Sequence, residues 1–332
     1  MEQSNTSAGY AASVKAKRVV TIMAANDGGH LMQLHSMRHR LPTDNEIVWV
    51  TTRTPQSESL LDGENVHWVG AATTRDRSAV VANAVKVRKL LRQRKISAAF
   101  STGSSIALST LPLARLHGAS AHYIESATRL DGPSLSGKIL ERVPGVTCYT
   151  QHSSWQSDRW KYAGSVFDGF SAHNRPDGAP QLRRVVVSLG TSQTFGFRRL
   201  IDKLVAILPK DAEIVWQTGS TDLSGLDFAN TRPFMPSAEL QRSIEQSDLV
   251  VAHAGTGIAL TSLRAGKLPL LVPRDPLHRE HIDDHQAQIA GLLSGLELCV
   301  ARRVDELTTE DLHSAARQFV TLKADVAPMG LL

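Results

Sequence analysis

The chain has 332 residues, of which 42% are hydrophobic and 5% aromatic, a composition that suits a globular protein of about two domains. Its 37 lysines and arginines outnumber its 32 aspartates and glutamates, and the net charge of +5 favours anionic substrates or an anionic membrane surface. The basic residues are not interleaved with aromatics as in nucleic-acid-binding stretches, so we expect no nucleic-acid partner.

The first half of the chain alternates short apolar runs with helical segments, which predicts βα repetition on a parallel sheet. Residues 1–14 are small and polar and indicate a loose tail. The strongest helix covers residues 78–94, where apolar side chains recur at helical spacing. The predicted strands are 18–25, 47–51, 66–69, 98–101, 121–125 and 146–150, and the other predicted helices are 31–39, 106–117 and 134–142.

The far end of the helix 78–94 is densely basic. Cations at a helix C-terminus usually lie on a solvated face, where they complement the helix dipole. The alternative interpretation is attraction to anionic lipid. The residues concerned are Lys86, Arg88, Lys89, Arg92, Arg94 and Lys95.

Residues 168–182 carry the chain breakers and polar residues of a linker. They separate an N-terminal domain, 15–167, from a C-terminal domain, 183–320, and we expect the tail 321–332 to pack back on the N-terminal domain. The fold class is α/β, with two doubly wound, Rossmann-like domains and a cleft between them. The second domain has predicted strands at 184–189, 213–217, 231–235, 249–252 and 268–272, and predicted helices at 198–208, 239–246 and 258–265.

Glycine-containing turns follow four of the predicted strands, at residues 26–30, 102–105, 190–192 and 253–257. Ligands of doubly wound sheets bind at the carboxyl ends of the strands, so these turns should face the cleft. The turn 253–257 predicts a phosphate cradle, because glycines let an anion approach the amides of a helix N-terminus. A tight turn that binds nothing is the alternative.

The loop 273–286 is rich in hydrogen-bonding side chains, which suit a nucleotide sugar, although an exposed polar loop has the same composition. The two cysteines, Cys148 and Cys299, lie far apart and indicate neither a disulfide framework nor a thiolate metal site. They favour a reducing cytoplasm. No apolar run reaches the ~18–20 residues of a membrane span and no signal peptide is evident, so we expect any membrane association to be peripheral.

The pattern HAGTG…LRAGK…HQ resembles the UDP-sugar-binding domain of GT-B glycosyltransferases of the MurG type, and the catalytic subunit of the dolichol-pathway N-acetylglucosaminyltransferase. Gly28-Gly29-His30 is similar to the acceptor-side glycine loop. The stretch YIESATRLDGPSLSGKIL, residues 123–140, resembles the membrane-associated partner subunit of that enzyme. Bacterial exopolysaccharide glycosyltransferases use the same two modules. The resemblance spans about residues 18–320.

The resemblance implies a donor site for a UDP-sugar and an acceptor site for a lipid-linked sugar. Many relatives place a glutamate on the ribose hydroxyls, and here that position is Thr261, so ribose binding would be weaker or supplied from elsewhere. The implied diphosphate cradle is Gly190, Thr191, Ser192, His253, Ala254, Gly255, Thr256 and Gly257; uracil lies near Phe234 and Met235; the sugar meets Asp284, His285 and Gln286, with Arg274 beside them; and the acceptor side is Gly28, Gly29, Ser126 and Arg129.

Glycosyl transfer requires a base for the acceptor hydroxyl. We favour His30, on a glycine turn at a strand end, with Glu125 as the second candidate and Arg129 as a group for an acceptor phosphate. The simpler interpretations are that His30 faces solvent and that Glu125 and Arg129 form a surface salt bridge. No aspartate pair follows a strand as a metal site would require; the pair Asp283-Asp284 fits sugar recognition better, so we expect no cofactor and no metal.

The sequence therefore predicts an inverting glycosyltransferase. It would move a hexose (GlcNAc, glucose, galactose or glucuronic acid) from a UDP-sugar to a polyprenyl-diphosphate-linked glycan in cell-envelope or exopolysaccharide synthesis. We expect it in the cytoplasm, peripherally bound at the anionic inner face of the cell membrane. The alternatives are a UDP-sugar 2-epimerase on the same fold and a non-catalytic UDP-sugar sensor or scaffold.

Overall fold

The structure is a computed structural model that describes residues 19–44, 46–73, 75–191, 194–282 and 284–331. The first half folds into a sheet of seven parallel strands: β1 (Val19–Ala25), β2 (Ile47–Thr52), β3 (Val66–Val69), β4 (Lys95–Gly103), β5 (Ser120–Ile124), β6 (Val146–Thr150) and β7 (Trp160–Tyr162). Their order across the sheet is β3-β2-β1-β4-β5-β6-β7. The six predicted strands are confirmed, and β7 is an additional edge strand of three residues that is too short to show a periodicity.

The helices of the first half are α1 (Gly29–Met37), α2 (Pro55–Leu60), α3 (Arg77–Gln93), α4 (Ser105–Leu116) and α5 (Leu135–Leu140). The sequence analysis missed α2, whose six residues are also too few for an apolar period. Local capping explains why it forms: the Thr54 hydroxyl accepts from the Ser57 amide, the Ser57 hydroxyl faces the Thr54 amide, and Pro55 opens the helix.

The stretch predicted as a linker, residues 168–182, contains a strand that the sequence analysis did not predict, β8 (Phe170–Asn174). This strand pairs antiparallel with residues 318–322 near the end of the chain. The sequence analysis missed this strand because its partner is about 150 positions away, beyond the reach of any local pattern.

The second half forms a parallel sheet with the order β11-β10-β9-β12-β13-β14. It reproduces the order of the first six strands of the first sheet, which is that of a dinucleotide-binding fold. The two doubly wound, Rossmann-like sheets predicted from the sequence are therefore confirmed. Its strands are β9 (Arg184–Ser188), β10 (Glu213–Gln217), β11 (Thr231–Arg232), β12 (Leu249–His253), β13 (Leu270–Val272) and β14 (Val300–Ala301).

Five helices flank this sheet, and β15 (Gln318–Leu322) is the strand that pairs with β8. Helix α9 was not predicted and begins within the polar loop 273–286, whose last two residues therefore belong to a helix. The helices are α6 (Arg198–Ile207), α7 (Ser237–Gln246), α8 (Thr256–Arg264), α9 (His285–Gly295) and α10 (Thr309–Ala316).

The two halves meet through helices: α1 packs on α8 and α2 packs on α7. One cluster of buried apolar side chains continues from the first sheet into the second and includes Met23, Leu31, Val187 and Leu260. Both sheets reverse their winding where the first strand lies beside the fourth, between β1 and β4 and between β9 and β12. These switch points carry all four glycine turns.

The end of the chain returns to the first half. The buried Arg40 donates from Nε to the carbonyl of Ala327 at 2.9 Å and from Nη1 to the carbonyl of Ser165 at 2.6 Å. The amide of Met329 donates in turn to the Arg40 carbonyl. Among the described residues, none of the helices is long and apolar enough to cross a membrane.

Candidate active site

His30 lies at the first switch point, in the first turn of α1. The helix starts after Gly28, whose φ of 87° lies in the left-handed region that favours glycine. The Nδ1 atom of His30 is 2.6 Å from the carbonyl oxygen of Thr102 on β4. Since a carbonyl only accepts, Nδ1 carries the proton and Nε2 keeps its lone pair. The histidine is thus held in the tautomer that a base requires.

Burial also keeps this imidazole neutral. It lowers the pKa of His30 below its usual value, and the nearby carboxylate of Glu125 only partly opposes that effect. A Cβ added at Gly103 would lie 3.1 Å from His30 Cε1, so glycine leaves room for the ring. His30 is therefore not a solvated helix-entry residue.

Glu125, the second candidate base, is fully buried at the end of β5. One carboxylate oxygen accepts from the Tyr123 hydroxyl at 3.1 Å and the Ser126 amide at 3.0 Å, and the other accepts from the amide and hydroxyl of Ser134 at 2.8 and 2.9 Å. A substrate hydroxyl would have to displace one of these four donors. The contacts identify Glu125 as the anchor of the following loop, and they exclude the surface salt bridge.

Arg129, in the loop after β5, reaches across the cleft. Its Nη1 atom lies 2.7 Å from Nε2 of His285 in the first turn of α9. In the same loop, Ser126 accepts a hydrogen bond of 2.9 Å from the buried Gln33 and holds the loop against α1. A predicted acceptor-side residue and a predicted donor-side residue thus face each other directly.

A cavity of about 350 Å³ lies between the two halves at this point. The first half contributes both candidate bases, and the second half contributes the α8 N-terminus and the start of α9. Its polar lining is His30, Ser104, Glu125, Ser126, Thr128, Arg129, Ser134, Ser136, Thr256, His281, His285 and Gln286.

The second switch point is built around the ring of His253. Gly190 has a φ of 83°, and a Cβ there would lie 2.7 Å from the His253 ring; a Cβ on Gly255 would overlap Nε2 of the same ring. His253 Nδ1 is 3.2 Å from the carbonyl of Ser188, while burial and then the charge of Arg274 lower its pKa to about 4. Both glycines thus leave space for a neutral histidine.

Helix α8 begins beside this ring, with Gly255 as its N-cap. The N-terminus of α1 lies next to it, because a Cβ on Gly29 would be only 3.7 Å from that of Thr256. Two helix N-termini, each with a partial positive charge and free amides, therefore meet in the cleft. Such a pair of helix ends can hold the charge of a diphosphate.

Two further cavities adjoin the glycine turns. One of about 170 Å³ is lined by Gly190, Thr191, Gly257 and Thr261. The Thr261 hydroxyl donates to the Gly257 carbonyl at 2.9 Å within α8. The other cavity, of about 480 Å³, is lined by Thr191 and Phe234, whereas Met235 is buried.

The side chains of the polar loop before α9 face two different cavities. His285 and Gln286 line the 350 Å³ cavity, but Asp284 and Arg274 line a separate cavity of about 460 Å³. The reason is that α9 starts at His285, so neighbouring side chains point in different directions. Asp284 and Arg274, predicted to contact the donor, thus line a different cavity from His285 and Gln286. Arg274 instead donates to the carbonyl of Leu189 at 2.6 Å and supports the Gly190 turn.

Ser192 and Asp283, expected at the donor site, lie outside the described residues. No cluster of three or more potential metal ligands occurs among the residues that the structure describes. Sequence reasoning also missed Gln217, which lines the 170 Å³ cavity. Its position at the end of β10, next to the switch point, was a usable signal.

The chain is similar to several known proteins in sequence and in fold. Residues 184–329 match the glycosyltransferase family 28 C-terminal domain. The UDP-N-acetylglucosamine–N-acetylmuramyl-(pentapeptide) pyrophosphoryl-undecaprenol N-acetylglucosamine transferase of Trichodesmium erythraeum is 25% identical over 93% of this chain and 86% of its own length. The UDP-N-acetylglucosamine transferase subunit ALG13 of Candida albicans is 32% identical over 22% of this chain and 24% of its own length. The solved structure of Acinetobacter baumannii MurG has a TM-score of 0.54 at 18% identity, covering 90% of this chain and 89% of that one.

Proposed function

We propose that this chain, which is a GT-B glycosyltransferase of the MurG type, transfers a hexose from a UDP-sugar to a glycan on a polyprenyl diphosphate, with inversion. The observation that carries the proposal is the state of His30. Its Nδ1 is engaged with the Thr102 carbonyl, and it lines a cavity that residues of both halves enclose. A neutral imidazole with a free lone pair is what an acceptor hydroxyl needs for activation.

The reaction is a single displacement. The acceptor oxygen forms a bond to the anomeric carbon of the donor while its proton passes to Nε2 of His30. The bond from that carbon to the diphosphate oxygen breaks, and its electron pair leaves with UDP. One displacement inverts the configuration, so an α-linked UDP-hexose gives a β-linkage.

The departing diphosphate is stabilised by the chain itself. The N-termini of α1 and α8 and the turn at Gly190-Thr191 present amides to the cleft, so developing negative charge meets oriented dipoles. We expect turnover to persist in EDTA for this reason. Loss of turnover with the chelator and recovery with Mg²⁺ would contradict a metal-independent site.

The acceptor would enter on the side of Arg129, whose guanidinium suits a phosphate. The name of the Trichodesmium relative includes a pyrophosphoryl-undecaprenol acceptor, which supports a lipid-linked substrate here. Several basic side chains near the end of α3 are exposed, among them Lys86, Lys89 and Arg92, and Val81 and Val85 on the same helix are 63% and 67% exposed. This combination suits peripheral binding at the cytoplasmic face of an anionic membrane.

The deciding experiment incubates the purified protein with a panel of UDP-sugars, with and without a polyprenyl-diphosphate-linked acceptor. UDP-N-acetylglucosamine comes first, because it is the donor in the relatives' names. We expect UDP release that depends on the acceptor, and a new β-linked product. Release without any acceptor would indicate an epimerase or hydrolase, and binding without turnover would indicate a sensor or scaffold.

A further inference from the structure

The cavity of about 170 Å³ includes the glycine turns of the proposed diphosphate site and extends from them towards the proposed uracil site. It shares Gly255 and Thr256 with the 350 Å³ cavity, and Thr191 and Gln56 with the cavity at Phe234. The proposed diphosphate site is at the glycine turns and the proposed uracil site is at Phe234. The part of a nucleotide that connects base and diphosphate is the ribose, so the ribose would lie in the part of this cavity next to the Phe234 cavity, beyond the glycine turns. It is much larger than one water molecule requires.

Gln217 lines this cavity from the end of β10, opposite Ser188 of β9. Its side chain is only 3% exposed, and its Oε1 atom is buried without a hydrogen-bond partner among the described residues. A buried carbonyl oxygen without a donor is destabilising, and native structures contain few of them. The arrangement therefore suggests that a ligand supplies the missing donor.

Three other polar side chains at this cavity already have partners. The Thr261 hydroxyl donates to the Gly257 carbonyl, the Ser237 hydroxyl donates to the Gln56 carbonyl at 3.3 Å, and the Gln241 amide donates to Glu245 at 2.9 Å. Ionised phosphate oxygens have no proton to donate to Oε1, whereas a sugar hydroxyl has one. With the Gln217 amide oriented as it is here, the matching ligand group is a donor such as a hydroxyl.

We propose that Gln217 binds a ribose hydroxyl of the donor nucleotide and makes the enzyme selective for ribonucleotides over 2′-deoxyribonucleotides. The assignment rests on the proposed function, because it takes the donor to be a nucleoside diphosphate sugar. It also identifies a group that can replace the glutamate expected at the position of Thr261.

The test is calorimetric titration of the full chain with UDP and 2′-deoxy-UDP. One hydrogen bond to a buried acceptor corresponds to about a tenfold difference in affinity, so the wild type should bind UDP about ten times more tightly. Gln217→Met has a similar volume and no amide, and it should weaken UDP to the level of 2′-deoxy-UDP while leaving 2′-deoxy-UDP unchanged. Gln241→Leu, at the same cavity, is the matched control and should keep the tenfold preference.

Thr261→Glu in the Gln217→Met background places a carboxylate in the same cavity and should restore the preference for UDP. Thermal unfolding of each variant checks that it is folded. Equal affinity of the wild type for UDP and 2′-deoxy-UDP overturns the proposal without any variant. A tenfold preference that survives in Gln217→Met overturns it as well.

Two further measurements distinguish the Gln217 proposal from the proposed function on which it rests. CDP lacks the N3 proton of uracil, so binding of UDP and CDP is compared in the wild type and in Gln217→Met. If Gln217→Met no longer distinguishes UDP from CDP but still prefers UDP to 2′-deoxy-UDP, then Gln217 contacts the base. If the wild type prefers ADP or GDP, the UDP assignment fails, and the ribo and deoxyribo forms of that nucleotide test Gln217. If no nucleoside diphosphate binds, both proposals are overturned.

Discussion

Replacement of His30 by alanine should abolish most of the transferase activity while leaving UDP affinity almost unchanged. The imidazole is fixed through Nδ1 by the carbonyl of Thr102 at 2.6 Å, whereas UDP would be held by main-chain amides and by the second half, which the substitution leaves in place. Loss of a positioned base typically lowers kcat by 10²–10⁴, which corresponds to about 3–5 kcal/mol of transition-state stabilisation. The assay is steady-state turnover with UDP-sugar and lipid-linked acceptor, together with calorimetry of UDP.

The pH profile adds a readout that a misfolded variant would not imitate. A protonated imidazole cannot accept the acceptor's proton, and burial lowers the pKa of His30 below its usual value of 6.5. Activity should therefore be level around pH 7 and fall only as the pH drops well below 6.5. Removing the carboxylate in Glu125→Gln takes away the charge that raises the His30 pKa, so the acidic limb should move to still lower pH.

Controls define what would refute this assignment. His117 is an exposed histidine at the C-terminal end of α4. His117→Ala is the matched control and should retain full turnover. Near-normal kcat in His30→Ala would show that the base lies elsewhere, and if Glu125→Gln then loses turnover, the base is Glu125. An acidic limb that persists unchanged in a slow His30→Ala enzyme would equally reject His30 as the titrating group.

Three further predictions concern the donor turn, acid stability and membrane binding. Gly190→Ala should weaken UDP binding at least tenfold in calorimetry, because a φ of 83° is unfavourable for alanine and the new Cβ would collide with His253. The matched control is Gly178→Ala. Gly178 has a φ of 79° with open space where a Cβ would lie, so this variant should bind UDP normally. The free energy of unfolding, measured in urea, should decrease from pH 6.5 towards pH 4. In the folded protein His35 and His253 have pKa values of about 3 and about 4, so over this range the unfolded chain binds protons first. Constant stability between these pH values would contradict the prediction. The protein should float with anionic liposomes at low salt but not with neutral liposomes or at high salt. The double change Lys86→Glu and Lys89→Glu should abolish flotation, while Lys210→Glu on the second half should not. Equal behaviour under all conditions would contradict membrane binding by α3.

The sequence was sufficient for features that have a local cause. A parallel strand followed by a glycine turn and a helix is visible in the chain itself, so the turns at Gly28, Gly190 and Gly255 could all be predicted, and with them the two doubly wound sheets. Apolar periodicity likewise located α3. In each case one short segment contains the whole physical reason for its structure.

The remaining features depend on contacts between distant segments. Strand β8 looked like a linker because its partner β15 is near the other end of the chain, and Arg129 meets His285 across 156 positions. The sequence analysis explained Gly255 by the space that a phosphate needs, and the structure adds a second reason. The missing side chain of Gly255 leaves room for the ring of His253.

The same long-range contacts explain how the cleft can function as a unit. Helix α1 belongs to the first sheet and α8 to the second, yet their N-termini meet at Gly29 and Thr256. Two ends of like partial charge repel each other weakly, and an anion between them turns that repulsion into attraction to a shared charge. A diphosphate would therefore stabilise the contact between the halves as well as its own position. Because His30 lies in the first turn of α1, the contact that would hold the leaving group would also place the proposed base near the anomeric carbon.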